Sequence, residues 1–348
     1  MRVILLSLCA VLWTCSAAFC QAMNGADGER SYFLKDNQYF KPMLANIRSP
    51  QFHMRVYRDQ AVQFSNSTLS GKHTFWDVGF GGLFSMFGFS FEDKPGGHIM
   101  AKTGLDFFLD ASAHMLLDFN TLSSDVINTD FRIGGGVAMR LPDKLKNFSL
   151  LSKFFHESTH IGDEYTLAAS RDTSFHRYNV SYEALELYLA GDHYRATRTR
   201  LALEYFRFYA GSRLLTKEAR FEEFKGVDEA QALKTSDRWE FQIGAEVFLR
   251  GWLPASAAER QKDGWLVQAI LPQCFVVASD FYHRDKYDVL HPEKIWSTNL
   301  VFGVIYGDYF QGKRTTRWLI NYYHGVNPHG QFRADEISYL GFDFVLGL

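Results

Sequence analysis

Three segments of this chain alternate apolar and polar residues for much longer than an ordinary strand, and that period of two restricts the fold more than any other feature. In the first, Leu105, Phe107, Leu109, Ala111, Ala113 and Met115 alternate with Asp106, Phe108, Asp110, Ser112 and His114. The second sets Phe131, Ile133, Val137, Met139 and Leu141 against Asp130, Arg132, Gly134, Gly136 and Arg140. The third sets Trp239, Phe241, Ile243, Ala245, Val247 and Leu249 against Arg238, Glu240, Gln242, Gly244, Glu246, Phe248 and Arg250. Successive side chains of a strand point to opposite faces, so each segment has one apolar face and one that is charged or bears glycine.

Strands of soluble sandwiches have a modal length of about five or six residues and turn their apolar face inward. Strands of ten or more residues with a charged opposite face fit an all-β transmembrane antiparallel β-barrel, lipid-facing outside and wet inside. Aromatic residues make up 16% of the chain, with 32 Phe and 17 Tyr. Beyond the N-terminus, no stretch reaches the roughly 18 uninterrupted apolar residues of a membrane helix. The formal net charge of -2 speaks against a nucleic-acid partner.

The pattern predicts about twelve strands, near 48–57, 73–91, 98–117, 126–141, 148–160, 176–190, 193–210, 236–250, 264–279, 295–308, 315–324 and 339–348. Short connections at Glu92 to Gly97, Pro142 to Asn147, Gly191-Asp192 and Tyr309 to Arg314 would face the periplasm. Longer ones at Tyr57 to Lys72, Ile161 to Phe175, Gly211 to Thr235, Asp280 to Lys294 and Gly325 to Ser338 would face outward. The lumenal faces carry Asp106, Asp110, Arg132, Arg140, Glu204, Arg238, Glu240 and Glu246. Their mixed signs suggest ion pairs rather than a selective pore.

At the N-terminus, Met1-Arg2 precedes an apolar run from Val3 to Trp13 and small residues at Ser16-Ala17-Ala18, the pattern of a secretory leader. The expected organisation is a leader over 1–20, a periplasmic segment over 21–47 and an outer-membrane barrel of a Gram-negative envelope over 48–348. Without the leader Cys274 remains, joined at most by Cys20 if cleavage falls just before it, too few for a disulfide framework.

One motif carries chemistry. In Phe155-His156-Glu157-Ser158-Thr159-His160-Ile161-Gly162-Asp163-Glu164, the residues His156, Ser158 and His160 share a face with Phe148, Leu150 and Phe154, opposite Lys153 and Glu157. That face is expected to meet lipid at the outer end of its strand. If the following hairpin places His160 opposite about His176, then Ser158 and His156 lie opposite Asn179 and Ser181. Glu183 continues the same face. A serine becomes a nucleophile when an imidazole takes its proton, and the imidazole needs a third group to orient it. The candidate catalytic set is therefore Ser158, His156 and either Asn179 or Glu183. The same residues would also serve as an interfacial polar girdle.

Two resemblances attach to these residues. His156-Glu157-Ser158 is similar to the His-x-Ser pair on the outer wall of the outer-membrane phospholipase A and lipid A deacylase barrels. Those families take their third residue, Asn or Glu, shortly after the serine; here Asn179 and Glu183 stand further along. More broadly, residues 125–134, 156–165 and 177–185 resemble an uncharacterised bacterial envelope family, domain of unknown function 1207. This implies an envelope protein and no established activity. The resulting expectation is a carboxylic ester hydrolase acting on outer-leaflet phospholipid or lipid A, with a non-enzymatic structural barrel or narrow conduit as the alternative. Outer-membrane lipids are the expected partners, and a second copy in a homodimer is compatible with the pattern.

No resident cofactor is expected, but Asp163 and Glu164 offer hard oxygen ligands for calcium beside the headgroups. His156 and His160 would stand some 13 Å apart along a straight strand, too far for one zinc ion unless the strand bends at Gly162. Gly134-Gly135-Gly136 opens no helix, which disfavours a phosphate loop and favours close strand packing.

Overall fold

The computed structural model describes residues 35–36, 39–60, 72–90, 103–121, 124–162, 176–195, 197, 199–216, 220–225, 229–232, 238–252, 271–286, 293–307, 309–311 and 315–347. The strands are β1 (Lys35–Asp36), β2 (Phe52–Gln60), β3 (Lys72–Ser90), β4 (Gly104–Asp118) and β5 (Asp125–Arg140). They continue with β6 (Phe148–Ile161), β7 (His176–Tyr194), β8 (Leu203–Leu215), β9 (Arg220–Lys225) and β10 (Glu229–Ala232). The last are β11 (Trp239–Arg250), β12 (Cys274–Lys286), β13 (Glu293–Gly307), β14 (Thr315–Val326) and β15 (Glu336–Gly347).

Twelve of these, β2 to β8 and β11 to β15, form a closed antiparallel barrel: β15 pairs with β2, and β8 bonds to both β7 and β11. Closure leaves the wall without an unpaired edge, which a lipid-embedded sheet requires. The β9–β10 hairpin prolongs the wall beside the outer end of β7, and β1 pairs with β3.

The alternation sets the faces as expected. On β4, Asp106, Asp110 and His114 are buried in the lumen while Leu109 is exposed outside. On β11, Glu240, Gln242 and Glu246 point in, and Trp239, Phe241 and Ile243 point out. Gly134 and Gly136 mark close packing: a Cβ at either would stand 2.2 Å from a carbonyl oxygen of β6. The space above them is taken by Phe155, whose ring lies under the Arg132 guanidinium at 4.4 Å.

Ten of the expected strands overlap their positions closely, and two are displaced along the chain. The strand expected over 193–210 runs from Leu203 to Leu215, and that expected over 264–279 from Cys274 to Lys286. Gly191-Asp192 is a turn signal by composition, yet it lies within β7. Asp192 faces the lumen there and takes both Arg140 guanidinium nitrogens, at 2.9 and 2.6 Å. Arg238, expected in the lumen, is exposed and precedes β11. It lies beyond the strand end, where alternation no longer sets the direction.

The N-terminal expectation needs a larger correction. Residues 1–34 lie outside the described ones, so the leader is not described. Residues 39–47 do not hang below the barrel: Tyr39, Phe40, Met43, Leu44, Ala45 and Ile47 are buried inside it. The segment rises through the lumen and returns to begin β2. Leu44 N donates to Glu246 at 2.8 Å, Asn299 Nδ2 donates to the Ala45 carbonyl at 2.7 Å, and Arg207 donates to the Lys41 carbonyl at 2.9 Å. Its backbone groups, away from water, thus find partners on the wall. From the opposite end, residues 327–335 fold inward. Gly330 N donates to Asp130, and Arg333 meets Glu240 at 2.7 Å.

Ion pairs fill the remainder, as the mixed signs implied. Glu157 is a hub, 2.6 Å from Arg132 Nη2, 3.7 Å from Arg48 and accepting from the Tyr182 hydroxyl at 2.8 Å. Lys153 bridges Asp110 and Glu186 at 2.8 and 3.1 Å, and Arg213 joins Glu186 to Glu240. Cys274 is buried, and its thiol donates to Glu204 Oε2 at 3.7 Å.

Candidate functional site

The outer wall over β5, β6 and β7 carries a patch built by strand register. β6 alternates without interruption, so Lys153, Phe155, Glu157 and Thr159 turn into the lumen, and His156, Ser158 and His160 face outward. Antiparallel pairing then makes lateral rows. Ile133, His156 and Glu183 form one row; Phe131, Ser158 and Ser181 form the next. Directly opposed side chains on one face are within reach of each other.

The register selects the partner of His156. The sequence predicts Asn179 and Ser181 opposite Ser158 and His156; the pairing instead places Ser181 opposite Ser158 and Glu183 opposite His156. The register is thus shifted by two residues along β7 from the expected one; residues 163–175 lie outside the described ones. The His156 imidazole brings Nδ1 3.5 Å from Glu183 Oε1. Asn179 sits beyond this row, where β7 pairs with β9 through Asn179 and Glu222. β7 changes neighbour here, from β9 up to Ser181 to β8 from Ala184, so Glu183 stands at the junction. Its carbonyl accepts from Thr216 N at 3.0 Å, which fixes the backbone at that point.

Both partners are partly open, with side-chain exposures of 40% for His156 and 29% for Glu183. On one side of the pair the outward residues of β5 are apolar, with Phe131 and Ile133 strongly exposed. Toward the periplasmic end come Phe154, Leu185, Leu187 and Leu189, all exposed. A polar pair therefore sits at the upper border of an apolar belt, where the cost of a polar group facing lipid is smallest. Among the described residues, no hydrogen bond joins Ser158 to His156, so in this state the imidazole is turned toward Glu183.

His160 faces outward too and meets Phe131 edge-on, ring centroids 5.8 Å apart. β6 continues to Ile161 and Gly162 N donates to the Ile127 carbonyl at 3.0 Å, so the strand does not bend to bring His156 and His160 onto one ion. Asp163 and Glu164, the calcium candidates, lie outside the described residues. A buried cluster of His53, Asp77 and His114 leaves no signal in the sequence, because its members come from three strands with no local spacing to betray them.

A closed antiparallel barrel of twelve long strands with an apolar exterior is an outer-membrane-type β-barrel. Within that class the chain belongs to the family described as "Protein of unknown function (DUF1207)", whose model matches residues 20–217. No curated protein matches the chain. Among solved structures it is similar to outer membrane phospholipase A from Escherichia coli, at 8% identity and a TM-score of 0.43, covering 89% of this chain and 95% of that one. It is similar also to the COG4313 outer membrane channel from Pseudomonas putida F1, at 8% identity and a TM-score of 0.41, covering 88% and 98%. LpxR from Salmonella typhimurium gives 13% identity and a TM-score of 0.35, covering 86% and 100%. Likeness at this level is that of one barrel to another, and the chemistry rests on the residues of this chain.

Proposed function

We propose that this chain is a serine hydrolase of outer-leaflet acyl esters, phospholipid or lipid A, working from the outside wall of its barrel. The observation that carries the reading is the row His156–Glu183, with Nδ1 3.5 Å from the carboxylate, beside an outward Ser158 two residues along the same strand. Glu183 at Nδ1 holds the imidazole in the tautomer that leaves Nε2 free as a base. On lipid binding His156 turns to Ser158, whose Oγ attacks the ester carbonyl carbon as Nε2 takes its proton. The tetrahedral adduct collapses, the ester C–O bond breaks and His156 returns the proton to the departing alcohol. Water, activated by the same imidazole, then releases the fatty acid from Ser158. Phe131 and Ile133 beside the pair, and the Leu185–Leu187–Leu189 stripe below it, offer an apolar bed for the acyl chain.

The reading is tested by release of fatty acid from phospholipid in mixed detergent micelles by the purified protein. Wild type should turn over, and Ser158→Ala should not. Equal rates for the two, with both proteins folded, would refute it.

The filled lumen favours one other reading, a non-enzymatic structural barrel. Residues 39–50 cross the lumen and 327–335 close it at the outer end, an arrangement that supports a structural role over a conduit. Single-channel conductance in a planar bilayer separates these two: a conduit would give discrete steps, and the plugged barrel should give none.

A further inference from the structure

The lumen contains one cluster for which the outer-wall chemistry has no use. His53 on β2, Gly79 on β3 and His114 on β4 form a lateral row, since His53 pairs with Gly79 and Gly79 with His114. Gly79 is the reason the two imidazoles can meet. A Cβ there would stand 2.2 Å from His53 Cε1 and 2.4 Å from Nδ1, so the His53 ring lies across β3 in the space a side chain would fill. Its centroid is 5.4 Å from that of His114. Asp77, the neighbouring inward residue of β3, brings Oδ1 3.4 Å from His53 Nε2. One ligand atom each from His53, Asp77 and His114 lie within 4.8 Å of one another. From the inward-folded loop, His329 adds Nε2 at 3.8 Å from Asp77 Oδ2.

Two independent observations point to a missing partner. All four residues are buried, at 2% exposure or less. Yet among the described residues both ring nitrogens of His114, both of His329 and Nδ1 of His53 have no hydrogen-bond partner. A buried polar atom left unpaired costs about 1–3 kcal/mol, so five at one point call for an explanation. The charges leave the same remainder. Arg55 is held by both oxygens of Asp343, at 2.7 and 2.8 Å, and also meets Asp77; Arg48 meets Asp130 at 2.9 Å. With Glu157, the other carboxylate near Arg48, held by Arg132, the two guanidinium groups Arg48 and Arg55 face three carboxylates, Asp77, Asp130 and Asp343, in a space away from water.

We propose that His53, Asp77 and His114 bind a divalent first-row transition-metal ion, zinc being the expected one, and that His329 closes the coordination shell. Imidazole and carboxylate together suit such ions, and three or four ligands match zinc. Zinc–ligand bonds of about 2.0–2.2 Å would set ligand atoms roughly 3.3 Å apart, so side-chain shifts of about an ångström complete the site. The ion takes up the unpaired nitrogens and its charge meets the surplus carboxylate. It also ties three wall strands to the loop that closes the lumen, which makes its role that of a lock on the plug.

The test uses the full chain purified in detergent, stripped with a chelator and then dialysed against zinc chloride. Wild type should retain one zinc per chain by elemental mass spectrometry, and His53→Ala and His114→Ala should each lower the affinity about tenfold or more. Cobalt(II) loaded in place of zinc should give the visible absorption of a tetrahedral nitrogen and oxygen site in wild type and lose it in His114→Ala. Heat-dependent gel migration reports whether each variant is folded. If a variant fails to fold, the cobalt spectrum of wild type decides by itself. Zinc retained equally by wild type and folded His114→Ala would overturn the proposal, as would folded wild type that takes up neither ion.

Discussion

The two faces of β6 present opposite chemistry only one residue apart. Inward, Glu157 is bound by Arg132, Arg48 and Tyr182 and is buried; outward, His156 and Ser158 flank it and are open to the membrane border. The lumenal residue is over-determined by its partners and cannot move. The outer residues have only small or partly open polar neighbours in Ser181 and Glu183 and are free to turn toward a substrate. Charged residues are more numerous inside, where they hold the plug; the few outside, with slack in their geometry, are those suited to catalysis.

The comparison is broken most directly by substituting one face at a time. Ser158→Ala and His156→Ala should each lower ester turnover by about a thousandfold or more, some 4 kcal/mol of transition-state stabilisation. Their urea unfolding midpoints should stay put, to within about 0.5 kcal/mol of stability, because both positions are outward and touch none of the lumenal network. Glu157→Ala, between them in the sequence, should do the reverse. It leaves Arg132 buried without its partner, and the loss should be about 3–5 kcal/mol in unfolding, measured by tryptophan fluorescence in urea. A Glu157→Ala protein as stable as wild type would show that the lumen does not hold the barrel.

A smaller effect sharpens the outer side. Glu183→Gln keeps shape and removes charge, so it should lower turnover about tenfold to a hundredfold while Asn179→Ala leaves it unchanged. Sensitivity at Asn179 instead would mean that the catalytic register differs from the pairing seen here.

The smallest effect concerns the loop that closes the lumen. Burial raises the Asp335 carboxyl from its ordinary range to about 7. An acid whose pKa is raised on folding binds more protons when folded, so its contribution is full below about pH 4 and is lost as pH rises toward 7. Asp335→Asn should therefore raise stability at pH 8 and leave it unchanged at pH 4, read as urea midpoints at the two values. No difference between the two pH values would mean the loop opens to water in solution.

Much of this was legible from alternation alone. The lipid and lumen faces of β4, β5 and β11 follow from period two, and so does the outward direction of His156 and Ser158, because pleating fixes which residues share a face. What alternation cannot supply is lateral register. Whether Glu183 or Asn179 meets His156 depends on how many residues the connecting hairpin consumes, and a slip of two keeps every side chain on its own face. The same blindness hid His53, Asp77 and His114, which converge only across three strands. The plug escaped for another reason: residues 39–49 have no periodicity, and their burial comes entirely from contacts with the wall.

The most direct test of outer-wall chemistry is mass spectrometry of outer-membrane lipids from cells expressing either wild type or Ser158→Ala, with the membrane perturbed to bring phospholipid into the outer leaflet. The account predicts deacylated phospholipid or lipid A with wild type and an unaltered profile with the variant. Identical profiles from two folded, equally abundant proteins would contradict it.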